Sequence, residues 1–198
     1  MHQLGYTRFI TTPHTMMHRY PNTQESIFRS LDTLRNALET AHIPVTVEAA
    51  SEYYLDEHFI RFIKEKNLLT FGNNLVLFEM SYVMPPVELD MIVSTLQDNG
   101  YTPVLAHPER YLYFHANPES YAALKQIGVL FQVNINSLGG YYSKSVQNAA
   151  KTLMKHGWID YLGSDVHHFK HIDALSTTLK GGIIDEVTKN NTIRNNLL

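Results

Sequence analysis

Apolar residues along this chain fall into two alternating rhythms. Short runs read as strands, at Arg8-Phe9-Ile10-Thr11-Thr12, Pro44–Ala50, Leu75–Phe78, Val104–Ala106, Val129–Ile135 and Trp158–Leu162. Between them the spacing turns helical. Ile27, Leu31, Leu34 and Leu38 form one stripe behind the capping pair Asn22-Thr23, and Phe59, Ile60 and Ile63 form another within Asp56–Lys66. Further helices are predicted over Val87–Asn99 behind Pro86, over Pro118–Ile127, over Ser143–His156 and from about Ile172 onward, and Gly100, Gly128 and Gly157 stand where three of these end. Gly5 closes what reads as the tail of a helix at the start. No linker, repeat or low-complexity segment interrupts the alternation. Strand and helix in turn predict an α/β fold with a mostly parallel sheet or barrel, of about six strand–helix units, fewer than a full (β/α)8 barrel.

With 198 residues, 44% of them hydrophobic, the chain is expected to form one domain around one core. A net charge of −3 without a basic run argues against nucleic acid as a partner. No apolar stretch is long enough to cross a bilayer and Met1–Gly5 is unlike a signal peptide, so a cytoplasmic protein is expected. The absence of cysteine excludes disulfides, thiolate metal sites and a thiol nucleophile. Eleven histidines shift attention to imidazole chemistry.

The positions that end the strands carry that chemistry. His14 follows the first strand, Glu52 the second, Glu79 the third and His107 the fourth; Asn136 ends the fifth, and Asp165 with His167 the sixth. A parallel sheet or barrel brings all these ends to one rim, where such folds place their sites. Asp165 and His167 are two apart and face one way in extended chain. Glu48 shares the strand parity of Glu52 and is an alternative ligand. Imidazoles and carboxylates without sulfur suit Mn, Fe or Zn in a hydrolytic centre. His2, His18, His42, His58, His115, His156, His168 and His171 are expected at the surface or behind the site, and Tyr53-Tyr54 and Tyr141-Tyr142 in core or rim packing. Gly139-Gly140 ahead of a helix with Lys144 could hold an anion at that helix N-terminus.

Taken together, Thr12-Pro13-His14, the Glu52 region, Phe78-Glu79, Ala106-His107-Pro108-Glu109-Arg110-Tyr111, Ser137-Leu138-x-Gly140 with Tyr142-x-Lys144, and Ser164-Asp165-x-His167 resemble the PHP superfamily. The resemblance is strongest to its CpsB/CapC branch, the bacterial manganese-dependent protein-tyrosine phosphatases of capsule and exopolysaccharide synthesis. It covers nearly the whole chain. It implies a distorted (β/α)7 barrel with up to three Mn2+ ions, Fe or Zn being possible, at the C-terminal rim. Carried over, Glu52, Glu79 and His107 hold one ion, Glu52 bridges to a second bound by Asp165, and His14 and His167 belong to a third. Arg110 binds the phosphate, and His107, Arg110 and Asp165 are the implied catalytic set. The implied substrate is the phosphotyrosine tail of a membrane-bound bacterial autokinase.

The family pattern opens with a strand bearing Asp-x-His-x-His, which occurs nowhere in residues 1–198. The expectation is a single PHP-like domain that begins inside the family's first helix, with only one ion fully provided with ligands. Such a chain would be a poor catalyst, open beside Arg8–Thr12 and Trp158–Leu162, and inclined to pair with copies of itself. Another PHP phosphoesterase, such as a histidinol-phosphate phosphatase, and a non-catalytic relative are the competing expectations.

Overall fold

The computed structural model describes all of residues 1–198. In chain order the strands are β1 (Arg8–Thr11), β2 (His14–Thr15), β3 (Thr46–Ala49), β4 (Glu52–Tyr54), β5 (Leu75–Glu79), β6 (Thr102–Ala106), β7 (Leu130–Asn134) and β8 (Tyr161–Gly163). The helices are α1 (Gln24–Thr40), α2 (Phe59–Lys64), α3 (Leu89–Asp98), α4 (Leu112–His115), α5 (Glu119–Gln126), α6 (Ile135–Leu138), α7 (Lys144–Lys155), α8 (Phe169–Lys180) and α9 (Ile183–Asn190). The opening helix end is a single 3-10 turn, His2–Leu4, closed by Gly5 at φ 90°. No helix is long and apolar enough to cross a membrane.

Every strand pairing is parallel. Six strands form one sheet in the order β2-β4-β5-β6-β7-β8, and β1 pairs with β3 alone. Two expected strands therefore end about where predicted, but each is followed after a short break by a second strand in the other sheet. The first stops at Thr11 and restarts at His14, and the second stops at Ala49 and restarts at Glu52. Pro13 has no N–H to give a ladder. The paired breaks are stitched by side chains instead: Thr15 Oγ1 lies 2.7 Å from Ser51 Oγ, which donates to Pro13 O at 2.8 Å. His14 and Glu52 consequently sit within strands rather than after them, Cα partners in the same register. The main sheet is open, with β2 and β8 at its edges, and β1 is paired on one side only, with Phe9 and Ile10 half-buried.

Alternation along the strands feeds two apolar clusters, as a parallel sheet covered on both faces requires. Val76, Phe78, Leu105, Phe131 and Val133 join the larger one, with Ile63, Leu96, Leu124 and Leu153 from the helices. Leu75, Leu77, Val104, Ala106, Ala50 and Tyr161 form the smaller one on the opposite face. This parity positions the site. Glu79 continues the row of Leu75 and Leu77 in β5, and Glu52 lies on the face of β4 opposite Tyr53 of the larger cluster. Carboxylates thus project from the face that the smaller cluster fills lower down.

Helix boundaries follow local chemistry. Thr23 and Ser26 form a reciprocal capping box at the start of α1, but only Ile27 and Leu31 are buried, since the helix lies over the narrow β1–β3 ribbon and Leu34 is left 41% exposed. Ser143 caps α7 by accepting Val146 N–H at 3.2 Å, and Lys144 donates to Gln147 Oε1 at 3.0 Å. Gly139 makes room for α8: a Cβ there would stand 2.0 Å from Thr178 Oγ1.

Candidate metal and phosphate centre

His107 occupies the middle of the rim. It follows β6 in a left-handed conformation, φ 36°, which few non-glycine residues adopt and which tends to persist where surrounding structure enforces it. By strand parity His107 would face the larger cluster; the left-handed turn brings its ring to the carboxylate side. Its Nε2 lies 3.0 Å from Glu52 Oε1 and 3.8 Å from Glu79 Oε2. All three side chains are buried, with residue exposures of 3%, 4% and 7% for His107, Glu52 and Glu79. His14 completes the group, its Nδ1 3.9 Å from Glu52 Oε2, and one donor atom each from His14, Glu52 and Glu79 lie within 4.8 Å of one another.

Two buried carboxylates this close resist ionisation together. Burial, then the charge of Glu52, pushes Glu79 above the ordinary carboxylate range. Burial alone would pull the His107 imidazole down, but the hydrogen bond and charge of Glu52 outweigh it and the net shift is upward. A divalent cation fits these residues: a nitrogen-and-oxygen donor set without sulfur, converging and short of positive charge.

Arg110 stands beside this group. Its guanidinium lies over Tyr82, 5.1 Å from the ring centroid, and over Tyr142, 4.6 Å from the centroid. Arg110 Nη1 donates to Asp165 Oδ2 at 3.1 Å, and the same oxygen accepts from Asn134 Nδ2 at 2.8 Å and from the Tyr142 hydroxyl at 3.4 Å. Asp165 is itself left-handed, φ 46°. Its Oδ1 lies 3.3 Å from His167 Nδ1, and the His167 ring is 5.7 Å from that of His14, centroid to centroid. All seven expected residues, His14, Glu52, Glu79, His107, Arg110, Asp165 and His167, therefore form one connected group.

Glu109 supports it from beneath. It is fully buried, accepts Asn134 N–H at 3.0 Å and Ser137 Oγ–H at 2.6 Å, and burial pushes its carboxyl above the ordinary range. Three expectations change. Glu48 is no ligand, because it lies on the β1–β3 ribbon, half-exposed, and pairs with Arg8 at 2.7 Å. Asn136 turns away to donate to His171 O at 3.1 Å, and Asn134, two residues earlier, reaches the site instead. Tyr142 belongs to the centre, while Tyr53 is core, its hydroxyl accepting Leu69 N–H at 2.7 Å. Tyr82 carries no sequence signal, since it sits in a loop without periodicity.

A parallel α/β sheet with a carboxylate–imidazole rim and an adjacent arginine brings together groups that can hold a divalent cation and an anion. The family profile for capsular polysaccharide synthesis proteins CpsB/CapC matches residues 2–176, and the chain belongs to that family. It is 27% identical over 167 residues to tyrosine-protein phosphatase YwqE of Bacillus subtilis, across 84% of this chain and 66% of that protein. It is 25% identical to CapC of Staphylococcus aureus, across 81% of this chain and 64% of that one, and 21% identical to tyrosine-protein phosphatase CpsB of Streptococcus agalactiae. The chain thus spans slightly less than two thirds of the length of the first two relatives. Its fold superposes with a TM-score of 0.81, at 24% identity, on a crystal structure from a study of YwqE of Bacillus subtilis and CpsB of Streptococcus pneumoniae, described there as metal-dependent tyrosine phosphatases; the match covers 96% of this chain and 84% of that one.

Proposed function

We propose that this protein is a metal-dependent phosphotyrosine-protein phosphatase of capsule or exopolysaccharide synthesis, built as a single PHP-like domain and working in the cytoplasm. The observation that carries this reading is the buried His107 imidazole between Glu52 and Glu79, next to Arg110 on Asp165. Family membership and the names of the relatives support it.

Glu52, Glu79 and His107 would hold the best-provided ion, with Glu52 shared towards a second at Asp165 and with His14 and His167 serving a third. Mn2+ is the expected metal, with Fe or Zn compatible with the same donors. When bound, the metal supplies a Lewis acid that activates water and offsets charge on the phosphoryl group. The chain's own residues do the rest. Arg110 offers a planar fork to two phosphoryl oxygens and stabilises charge there as the P–O bond to tyrosine breaks. Asp165 fixes that fork, and Tyr82 and Tyr142 keep its plane in place from the rings they present. Glu109 holds the turn that carries His107 and Arg110 by accepting from Asn134 and Ser137. Water adds to phosphorus, tyrosine leaves with a proton, and inorganic phosphate is released.

The substrate we favour is the phosphotyrosine-rich tail of a membrane-bound bacterial autokinase. The unpaired outer sides of β1, β2 and β8 are consistent with self-association as a further property. The test is phosphate release from a phosphotyrosyl peptide and from histidinol phosphate, each with Mn2+ and with chelator. Mn2+-dependent release from the peptide supports the reading, and preference for histidinol phosphate replaces it with another PHP phosphoesterase. A second reading is non-catalytic, with the same donors holding metal at the rim. On that reading the protein binds metal and the tail without turnover, and metal-dependent peptide binding with no phosphate release distinguishes it.

A further inference from the structure

Beyond the rim, two loops bring a separate set of metal-ligating side chains together. After β2 the backbone folds back between Met16 and Tyr20, with Met16 N–H donating to Tyr20 O at 3.0 Å and Tyr20 N–H to Met16 O at 2.6 Å, which puts His18 in the turn. After β4 the chain reaches Glu57 and His58 just ahead of α2. One carboxylate clamps both loops. Asp56 Oδ2 accepts Met17 N–H at 3.2 Å and Asp56 Oδ1 accepts His58 N–H at 2.9 Å. The side chains meet outside this clamp. His18 Nε2 lies 2.7 Å from Glu57 Oε1, His58 Nε2 lies 3.8 Å from the same oxygen, and the two imidazole centroids are 5.9 Å apart. One donor atom from each of the three lies within 4.8 Å of the others.

We infer that His18, Glu57 and His58 form a second metal site, distinct from the phosphate centre, which takes a borderline divalent ion of the Zn2+ class. Ligands about 2.0–2.1 Å from a tetrahedral zinc stand roughly 3.3–3.4 Å from one another, and the two contacts of Glu57 bracket that spacing. Two imidazoles with one carboxylate suit Zn, Cu or Ni, whereas an all-oxygen set would suit Mg or Ca. The outer side is open, so water completes the shell. A plain surface ion pair accounts for His18 with Glu57 but not for the second imidazole turned to the same oxygen, nor for one aspartate fixing both backbones. No residue is shared with the rim, yet the two are mechanically linked. The loops wall a cavity of about 630 Å3 lined by Met16, His18, Tyr54, Leu55 and Glu57, and Leu55 N–H donates to Glu79 O at 3.0 Å. An ion here would fasten the turn at Met16–Tyr20 to the start of α2 and stiffen that wall.

Zn2+ alone is the probe, with binding measured by equilibrium dialysis and elemental analysis on the 198-residue protein. His18→Ala and His58→Ala should each remove one equivalent, or weaken one class of site by at least about 10–100-fold, and the double variant should remove no more than either alone. Glu79→Gln should leave this equivalent in place, and adding His18→Ala to it should remove it. Because His18 is exposed, circular dichroism of His18→Ala should match wild type; Glu57→Gln provides an independent variant if His58→Ala does not fold. Unchanged Zn2+ stoichiometry and affinity in both His18→Ala and Glu57→Gln would overturn the site. Failure of Glu79→Gln to lose any metal would count against the proposed phosphatase centre and leave the His18 result standing.

Discussion

His107 and Glu52 are 55 positions apart in sequence, yet Nε2 of one lies 3.0 Å from Oε1 of the other, both side chains buried. Glu52 opens β4 and His107 follows β6, with β5 between them in the parallel sheet, and a left-handed turn at His107 completes the contact. The contact has an electrostatic consequence. Glu79 Oε2 lies 3.8 Å from the same nitrogen, so the imidazole can offer one proton to two carboxylates that together call for more positive charge. A divalent cation meets that need better than a proton does, and four predictions extend from this imbalance and its surroundings.

Glu79→Gln should stabilise the metal-free protein while removing its response to metal. The folded-state value of Glu79 is raised, so the stability it contributes is present below its unfolded value and is lost as pH rises through the folded one. At neutral pH its charge therefore works against the fold, and an uncharged amide relieves this. Each 1 kcal/mol should appear as a rise of about 2–4 °C in melting temperature for a chain of this size. Thermal scans with and without Mn2+ decide it. A lower metal-free melting temperature together with an intact Mn2+ shift would place the metal elsewhere.

Protons should compete with metal at this centre at unusually high pH. The shifts of Glu79 and His107 are both upward, so each takes up a proton before an ordinary carboxylate or imidazole would. Mn2+ affinity should fall as pH is lowered, and the fall should begin above the pH at which an ordinary imidazole takes up its proton. Dialysis at a series of pH values would show it, and a flat affinity would contradict the assignment.

Arg110→Lys should lower turnover of a phosphotyrosyl substrate by about 10²–10³ with little change in melting temperature. An ammonium keeps the charge opposite Asp165 but loses the planar fork held by Tyr82 and Tyr142. Steady-state kinetics of the two proteins, each loaded with Mn2+, provide the comparison; equal kcat values would remove Arg110 from the reaction.

Gly139→Ala should destabilise the protein by about 1–3 kcal/mol, the usual cost of overpacking. The added carbon would meet Thr178 Oγ1 at 2.0 Å, and that hydroxyl already donates to Ala174 O at 2.8 Å. Adding Thr178→Ala should recover part of the loss, because the nearest obstructing atom is gone. Denaturant midpoints of the single and double variants test this, and additive losses would show that the α6–α8 contact is not the cause.

Much of this arrangement is legible in the chain itself. Short apolar runs place β5, β6 and β7, and the polar residue that ends such a run points to the rim, which is how Glu79 and His107 are found. Where sequence reading falls short, a single local event is responsible. The breaks before His14 and Glu52 depend on hydroxyls of Thr15 and Ser51 meeting across strands, which no periodicity encodes. Asn134 rather than Asn136 reaches Asp165 because β7 ends one residue before Ile135 begins a helix, and strand ends are uncertain by more than that. Glu48 and Glu52 share a parity, and only the change of sheet between β3 and β4 separates a surface ion pair from a site residue. The Tyr82 ring over Arg110 comes from a loop, whose path follows from tertiary contacts alone.

The central claim is that the His107–Glu52–Glu79 group binds a divalent metal for phosphotyrosine hydrolysis, and it is tested most directly by the initial rate of phosphate release from a phosphotyrosyl peptide. Wild type and Glu79→Gln should be compared at equal protein concentration, each with Mn2+ and with chelator. The account predicts slow release by wild type that requires Mn2+, and loss of that release in Glu79→Gln although the variant remains folded. Release that persists in chelator, or that is the same in Glu79→Gln as in wild type, would contradict it.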